Sequence, residues 1–135
     1  RCVLTASRIS PLARDEVEPA LADVFPESPG RNVIATFSRH IELITKWGPF
    51  AGYLMSGSTL SARERELGIL RVGWLSQSEY QWAEHVGRSL EAVLTREEIE
   101  RVAEGPAAAG WNASERAMLK AAFAHRRRYL LTNLV

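Results

Sequence analysis

The chain has 135 residues, of which 46% are apolar and 24% are charged, and this length and composition are typical of one soluble globular domain. The composition excludes wholesale disorder, and the net charge of +1 excludes a global field that would steer nucleic acid or an anionic membrane surface. No apolar run is long enough to span a bilayer, and the single cysteine, Cys2, excludes an intramolecular disulfide, a Cys-x-x-Cys pair and a structural zinc site. We therefore expect a cytoplasmic protein with one domain over residues 1–135, of which residues 1–14 are flexible.

Helix-start signals are frequent in the sequence, and strand signals are nearly absent. Sustained period-two alternation and Asn-Gly or Asp-Gly hairpin turns are missing. Capping boxes, in which residues three positions apart satisfy each other's backbone N–H groups, begin at Ser61, Ser78 and Thr95. A looser helix start lies at Asn112. These signals predict a helical protein.

In chain order, the predicted helices cover residues 15–24, 32–47, 62–75, 79–93 and 96–103, with a last helix from about Ser114. A break is expected at Gly48-Pro49, followed by a short helix through Tyr53 and Met55 and a linker over residues 56–58. The pattern indicates an all-α protein of about six or seven helices. Its centre is the antiparallel hairpin formed by residues 62–75 and 79–93.

Glu66 and His85 are the ionisable residues whose positions favour chemistry. Each borders the apolar side of its predicted helix. If the helices fold back at residues 76–77, Glu66 lies about 15 Å and His85 about 10 Å along the axes from the turn. This offset of about 5 Å, with axes about 8–10 Å apart, allows a contact directly or through one water. Such a pair can transfer protons. The alternative is a Glu on a helix flank and a half-buried His, neither of which does chemistry.

Two segments carry this pair, LSARERELGILRV over residues 60–72 and SEYQWAEHV over residues 78–86. Together with LTREEI over residues 94–99 and with residues 32–33 and 37–40, they resemble the carboxymuconolactone decarboxylase and alkylhydroperoxidase-D (AhpD-like) superfamily. The resemblance covers residues 11–120 and implies an AhpD-like helical bundle that forms a homo-oligomer, trimeric or hexameric. Residues 121–135 depart from it, because the family's last helix usually carries acidic residues and this segment has a short basic run.

In the peroxidase branch of the family, the resemblance implies a catalytic Glu, a Cys-x-x-Cys pair and a His. Position by position, the Glu falls on Glu66 and the His on His85, but the two Cys positions hold Ser78 and Gln81. A thiol peroxidase needs one thiolate to attack the peroxide and a second thiol to resolve the sulfenic acid. Cys2 lies too far up the chain to be assumed a substitute. An alkylhydroperoxidase-like peroxidase is therefore the disfavoured alternative.

The decarboxylase branch needs no Cys pair. The resemblance of the sequence to this branch implies loss of CO₂ from a small carboxylated, lactone-type substrate, with neither a metal nor an organic cofactor. His85 would be the general acid–base and Glu66 its orienting partner. Arg39 or Arg71 has a guanidinium that can bind a substrate carboxylate bidentately, or can serve as a solvated or helix-capping charge.

Other side chains near the predicted pair complete the expected pocket. They are Ser78 and Gln81, which share a helical face with His85, and the aromatic residues Tyr80 and Trp82. Aromatic residues at helical spacing also fit a core or a subunit interface. We expect a small-molecule substrate and self-association as the partners, and no nucleic acid or membrane. A helical oligomeric binding protein without catalytic chemistry is the second alternative.

Overall fold

The computed structural model describes residues 8–13, 15–17, 21 and 32–132 of the chain. Among these residues there is no β-strand, and no helix is both long and apolar enough to cross a membrane. The all-α prediction is therefore confirmed. The helix expected over residues 15–24 and the flexible segment 1–14 lie largely outside the described residues. Two compact units make up the chain, Arg1–Ser58 and Thr59–Val135, and the single domain stays a prediction.

The first unit contains α1 (Asn32–Phe37), α2 (Ile41–Gly52) and a π-helical segment (Tyr53–Gly57). The prediction of one helix over residues 32–47 is wrong, because the chain turns at residues 38–40. The N–H of Leu43 donates to Nδ1 of His40 at 3.2 Å, so His40 caps the start of α2. Buried apolar side chains form the core of this unit: Val17, Leu21, Ile34, Ala35 and Ile44.

The predicted break at Gly48-Pro49 is also wrong. Pro49 lies inside α2, which continues to Gly52 and then widens into the π-helical segment. A proline removes the hydrogen bond that its own N–H would make, and it leaves the neighbouring donors intact. The N–H of Tyr53 reaches the carbonyls of both Pro49 and Phe50, which keeps the chain on a helical path past the proline.

The second unit contains α3 (Ala62–Leu75), α4 (Glu79–Ala92), α5 (Arg96–Glu104) and α6 (Ala113–Thr132). The capping boxes predicted at Ser61 and Thr95 both form. Asn112 makes a third reciprocal cap, since its side chain accepts from the N–H of Glu115 at 2.9 Å and its own N–H donates back to that carboxylate at 2.9 Å. Local polar contacts therefore fix where three of the four helices begin.

Helix α3 is the centre of this unit and packs against α4, α5 and α6. The buried core comprises Leu67, Leu70, Leu94, Ile99, Val102, Trp111 and Leu119. Arg63, near the start of α3, ties the surrounding helices together through charge-assisted hydrogen bonds. It contacts Glu98 of α5 at 2.5 Å and Glu115 of α6 at 2.7 Å, and it donates to the carbonyl of Val93 at 2.9 Å.

A tight turn folds α4 back on α3, as the predicted hairpin requires. The N–H of Ser78 donates to the carbonyl of Gly73 and that of Gln77 to Trp74, which is a Schellman motif with Gln77 in the left-handed region at φ 53°. This arrangement explains why the capping box predicted at Ser78 is wrong. The N–H of Ser78 already donates to the carbonyl of Gly73. The side chain of Gln81 lies against Gly73 and does not accept a hydrogen bond from the N–H of Ser78, as a capping box would require.

Candidate active site

The hairpin brings Glu66 of α3 and His85 of α4 into direct contact. Nδ1 of His85 lies 2.7 Å from Oε2 of Glu66, within ordinary hydrogen-bond distance. Both residues are buried, with 3% of Glu66 and 8% of His85 exposed. The contact that the helical spacing predicted is therefore present in the fold, without the need for a bridging water.

The charge state of Glu66 follows from its surroundings. Burial raises the pKa of its carboxyl group, but the hydrogen bond from His85 and the positive charge of Arg65 outweigh burial, so the pKa lies below its usual value. An ionised carboxylate can only accept hydrogen bonds, so Nδ1 of His85 is the donor of the pair. The proton on Nδ1 leaves Nε2 as the ring nitrogen that can exchange a proton with a substrate. No described residue makes a hydrogen bond with Nε2.

Two further residues contact Glu66 and were not found by sequence reasoning. The hydroxyl of Ser89, a fully buried residue, lies 3.5 Å from the same Oε2 that accepts from His85. Nε of Arg65 lies 3.5 Å from Oε1, the other carboxylate oxygen. Ser89 follows His85 by four residues, so their shared helical face was a usable signal. No sequence signal pointed to Arg65, because it directly precedes Glu66 and consecutive helical residues point about 100° apart.

Ser78 and Gln81 lie at the start of α4, on the face that also holds His85. Ser78 is the N-terminal cap position of the helix, and Gln81 packs along Gly73 of α3. Neither makes a described hydrogen bond to Glu66 or His85. A hydroxyl and an amide group therefore stand at the two positions where the peroxidase branch of the family has its thiols.

The two aromatic candidates occupy different environments. Tyr80 lies in the first turn of α4 with 44% of its surface exposed. Trp82 is half-buried, packs against the core, and contacts Trp74 with ring centroids 5.2 Å apart. The places of Tyr80 and Trp82 in the expected pocket stay predictions.

Arg71 is buried on another side of α3. Five residues, or about 140° of helical rotation, separate it from Glu66. Its Nη1 donates to the carbonyls of Val102 and Ala103 at 2.9 Å each, near the end of α5. The guanidinium thus caps a helix, which was one of its two sequence interpretations. Its role as a substrate-carboxylate ligand stays a prediction, as does that of Arg39, whose Nε donates to the carbonyl of Ser10.

Among the described residues, no group of three or more His, Cys, Asp or Glu side chains could hold a metal ion. A search of curated proteins found no match to the chain, and a search of solved structures found none either. The scan of protein families gave a match to the carboxymuconolactone decarboxylase family over residues 42–124. The matched range contains both Glu66 and His85 and ends before most of the atypical segment 121–135. Because the match covers more than half of the chain, the protein belongs to the carboxymuconolactone decarboxylase family.

Proposed function

We propose that this protein is a cofactor-free decarboxylase-like enzyme that acts on a small carboxylated, lactone-type substrate. The observation that carries the proposal is the buried contact of 2.7 Å between Glu66 and His85. A buried ionised carboxylate next to an imidazole suits proton transfer better than structural stabilisation, since an apolar pair at such a position is often at least as stabilising. Membership in the family supports the reaction class.

The proposed reaction needs one proton and releases one CO₂. The bond between the substrate carbon and its carboxylate breaks, and its electron pair enters an extended enolate conjugated with the lactone carbonyl. His85, protonated on both nitrogens, then transfers the Nε2 proton to the enolate carbon. Solvent returns that proton to the ring after the product leaves.

Glu66 has two parts in this scheme. It accepts from Nδ1 and so holds the imidazole in one orientation and one tautomer. Its negative charge also stabilises the doubly protonated ring that precedes proton transfer, by direct electrostatic attraction at short range. Glu66 is therefore a positioning residue, and His85 is the catalytic one.

Self-association is a second part of the proposal. Leu43, Phe50 and Leu54 recur along α2 and the π-helical segment at helical spacing, and all three are exposed. An exposed apolar stripe of this kind favours burial against another copy of the chain, in keeping with a trimer or hexamer.

The test is release of CO₂ from carboxymuconolactone by the purified protein and by variants of the pair. We expect His85→Gln to lower the rate by about 10²–10⁴-fold, the usual contribution of a general acid–base. We expect Glu66→Gln to lower it less, because the ring remains present. Glu79→Gln, an exposed carboxylate at the start of the same helix, is the matched control and should leave the rate unchanged.

Three results would contradict the proposal. One is wild-type protein that releases no CO₂ from any carboxylated lactone offered. Another is a His85→Gln variant as active as the wild type. The last is a rate that depends equally on Glu79 and Glu66, since this would mean that net charge rather than the pair is responsible.

A further inference from the structure

A cavity of about 360 Å³ lies beside α4 and α5, and neither Glu66 nor His85 lines it. This volume is at the lower end of the range for small-molecule sites. Its inner walls are apolar, with Val86 from α4 and Ile99 from α5. The cavity is open to solvent on one side, so an apolar molecule bound in it would be partly removed from water.

One end of the cavity is aromatic. Trp74 and Trp82 both line it, with ring centroids 5.2 Å apart and planes inclined at 54°. Trp74 is 48% exposed although it is one of the largest apolar side chains in the protein. Two inclined rings offer a flat ligand both a face and an edge, which are the geometries that aromatic pairs prefer.

The other end is cationic. Arg96 lines the cavity and is the first residue of α5, so it stands near the C-terminal end of α4. The α4 side of the cavity runs from Trp82 to Leu90, a length of about 12 Å at 1.5 Å per residue. Among the described residues, none makes a hydrogen bond or ion pair with the guanidinium of Arg96. Its charge interacts with the carboxylate of the adjacent Glu97, and its planar fork can still bind a carboxylate bidentately.

We propose that this cavity binds an arylalkanoate, a monocarboxylate whose aromatic ring is joined to the acid group by a flexible chain. The ring lies against Trp74 and Trp82, the chain crosses Val86 and Ile99, and the carboxylate binds Arg96. Glu100 also lines the cavity, one helical turn beyond Arg96. Its negative charge would repel a second carboxylate, so the cavity should select monoanions over dianions. This proposal does not rest on the chemistry of Glu66 and His85.

The test is isothermal titration calorimetry with three probes of one shape: 4-phenylbutyrate, 4-phenylbutyramide and 4-phenylbutylamine. We expect the carboxylate to bind at one site per chain, about ten-fold more tightly than the amide, because the neutral amide cannot form a charge-assisted pair with Arg96. The amine should bind most weakly, because its charge repels Arg96. Glu66→Gln should bind all three probes as the wild type does.

Three variants at exposed positions assign the contacts. Arg96→Gln should abolish the preference for the carboxylate, while Glu100→Gln, the matched control, should keep or strengthen it. Trp74→Ala should weaken the binding of the carboxylate and of the amide by similar factors, since it removes the aromatic contact that the two probes share. Circular dichroism checks that each variant is folded.

Several results would overturn the proposal. Equal affinity for the carboxylate and the amide would mean that Arg96 does not contact the ligand. If the amine binds most tightly, the cavity binds cations, with Glu100 as the charged contact. A carboxylate preference that survives Arg96→Gln would place the anion elsewhere. If no probe binds and Trp74→Ala changes the mass of the protein in solution, the cavity is part of an interface between copies of the chain.

Discussion

Glu66 is a residue in which opposing influences can be compared directly. Burial disfavours its ionised form, whereas the hydrogen bond from His85 and the charge of Arg65 favour it, and the latter outweigh the former. The outcome matters because only the ionised carboxylate fixes the proton on Nδ1 of His85. A substitution that keeps the size of Glu66 but removes its charge should therefore change which nitrogen of His85 carries the proton, while the protein stays folded.

Ser78 and Gln81 decide which redox chemistry the site can perform. A hydroxyl lacks the acidity and nucleophilicity of a thiol, and an amide has no nucleophile. We predict that the protein consumes no peroxide with dithiol or protein reductants, as measured by loss of hydroperoxide over time. The double variant Ser78→Cys with Gln81→Cys provides a thiol-containing control. Peroxide turnover by the parent protein that survives Cys2→Ser would contradict the prediction.

At the scale of helices, the sequence was most informative where a boundary depends on residues three positions apart. The boxes at Ser61 and Thr95 fix the starts of α3 and α5, and both were predictable. The box at Ser78 failed because its N–H is taken by the preceding turn, which is a contact between helices. The proximity of Glu66 and His85 followed from helix geometry, and Ser89 was accessible in the same way because it shares a helical face with His85. The contact of Arg65 was not, because it depends on how α3 is rotated about its axis.

The loop after α5 depends on a glycine that no other residue can replace without strain. Gly105 has a φ of +105°, and a Cβ there would lie 2.6 Å from Nη2 of Arg71. We predict that Gly105→Ala lowers the free energy of unfolding by about 1–3 kcal/mol, since it combines backbone strain with a steric clash. Urea denaturation followed by circular dichroism measures the change.

Gly87 is the matched control for that substitution. It lies on an exposed part of α4, with no atom within 4 Å of the position of a Cβ. Gly87→Ala should raise the free energy of unfolding by about 0.5–1 kcal/mol, because alanine has less conformational freedom to lose in a helix. If both alanine variants shift stability in the same direction, the assigned role of the Gly105 backbone is wrong.

On the scale of the whole molecule, the second unit is held together by ionised carboxylates as well as by its apolar core. Glu98 and Glu115 approach Arg63 from different helices, and the pKa of each carboxyl is lowered. For Glu98 the main cause is the hydrogen bond from Arg63. For Glu115, burial raises the pKa, but hydrogen bonds from the backbone of Asn112 and from Arg63 outweigh it. Both ion pairs are partly shielded from solvent, so they contribute more than exposed pairs do.

These lowered pKa values predict how stability depends on pH. Folded carboxyl groups with pKa values below the ordinary 4.5 bind fewer protons than the same groups in the unfolded chain. Their stabilisation is therefore fully present above about pH 4.5 and is lost as the pH falls through the lowered values. Urea denaturation at pH 7, 5, 4 and 3 should show a free energy of unfolding that is level at first and then decreases.

Arg63→Met separates the ion pairs from other effects of acid. It should be less stable than the parent protein at pH 7 by about 1–3 kcal/mol, a value reduced for the partial exposure of Arg63. It should also lose less stability between pH 5 and pH 3, because Glu98 and Glu115 no longer have an arginine partner. Lys120→Met, at an exposed position of α6, should resemble the parent protein. Equal acid sensitivity in the parent and Arg63→Met would contradict this explanation.

The tautomer of His85 is the property on which the proposed chemistry most directly depends. Two-bond proton–nitrogen correlation NMR of ¹⁵N-histidine-labelled protein distinguishes a proton on Nδ1 from one on Nε2, and the His85→Gln spectrum assigns the signals. With the ring neutral, we predict the proton on Nδ1 in the parent protein and a shift toward Nε2 in Glu66→Leu. A parent protein with the proton on Nε2, or a tautomer that Glu66→Leu leaves unchanged, would contradict the role assigned to the pair.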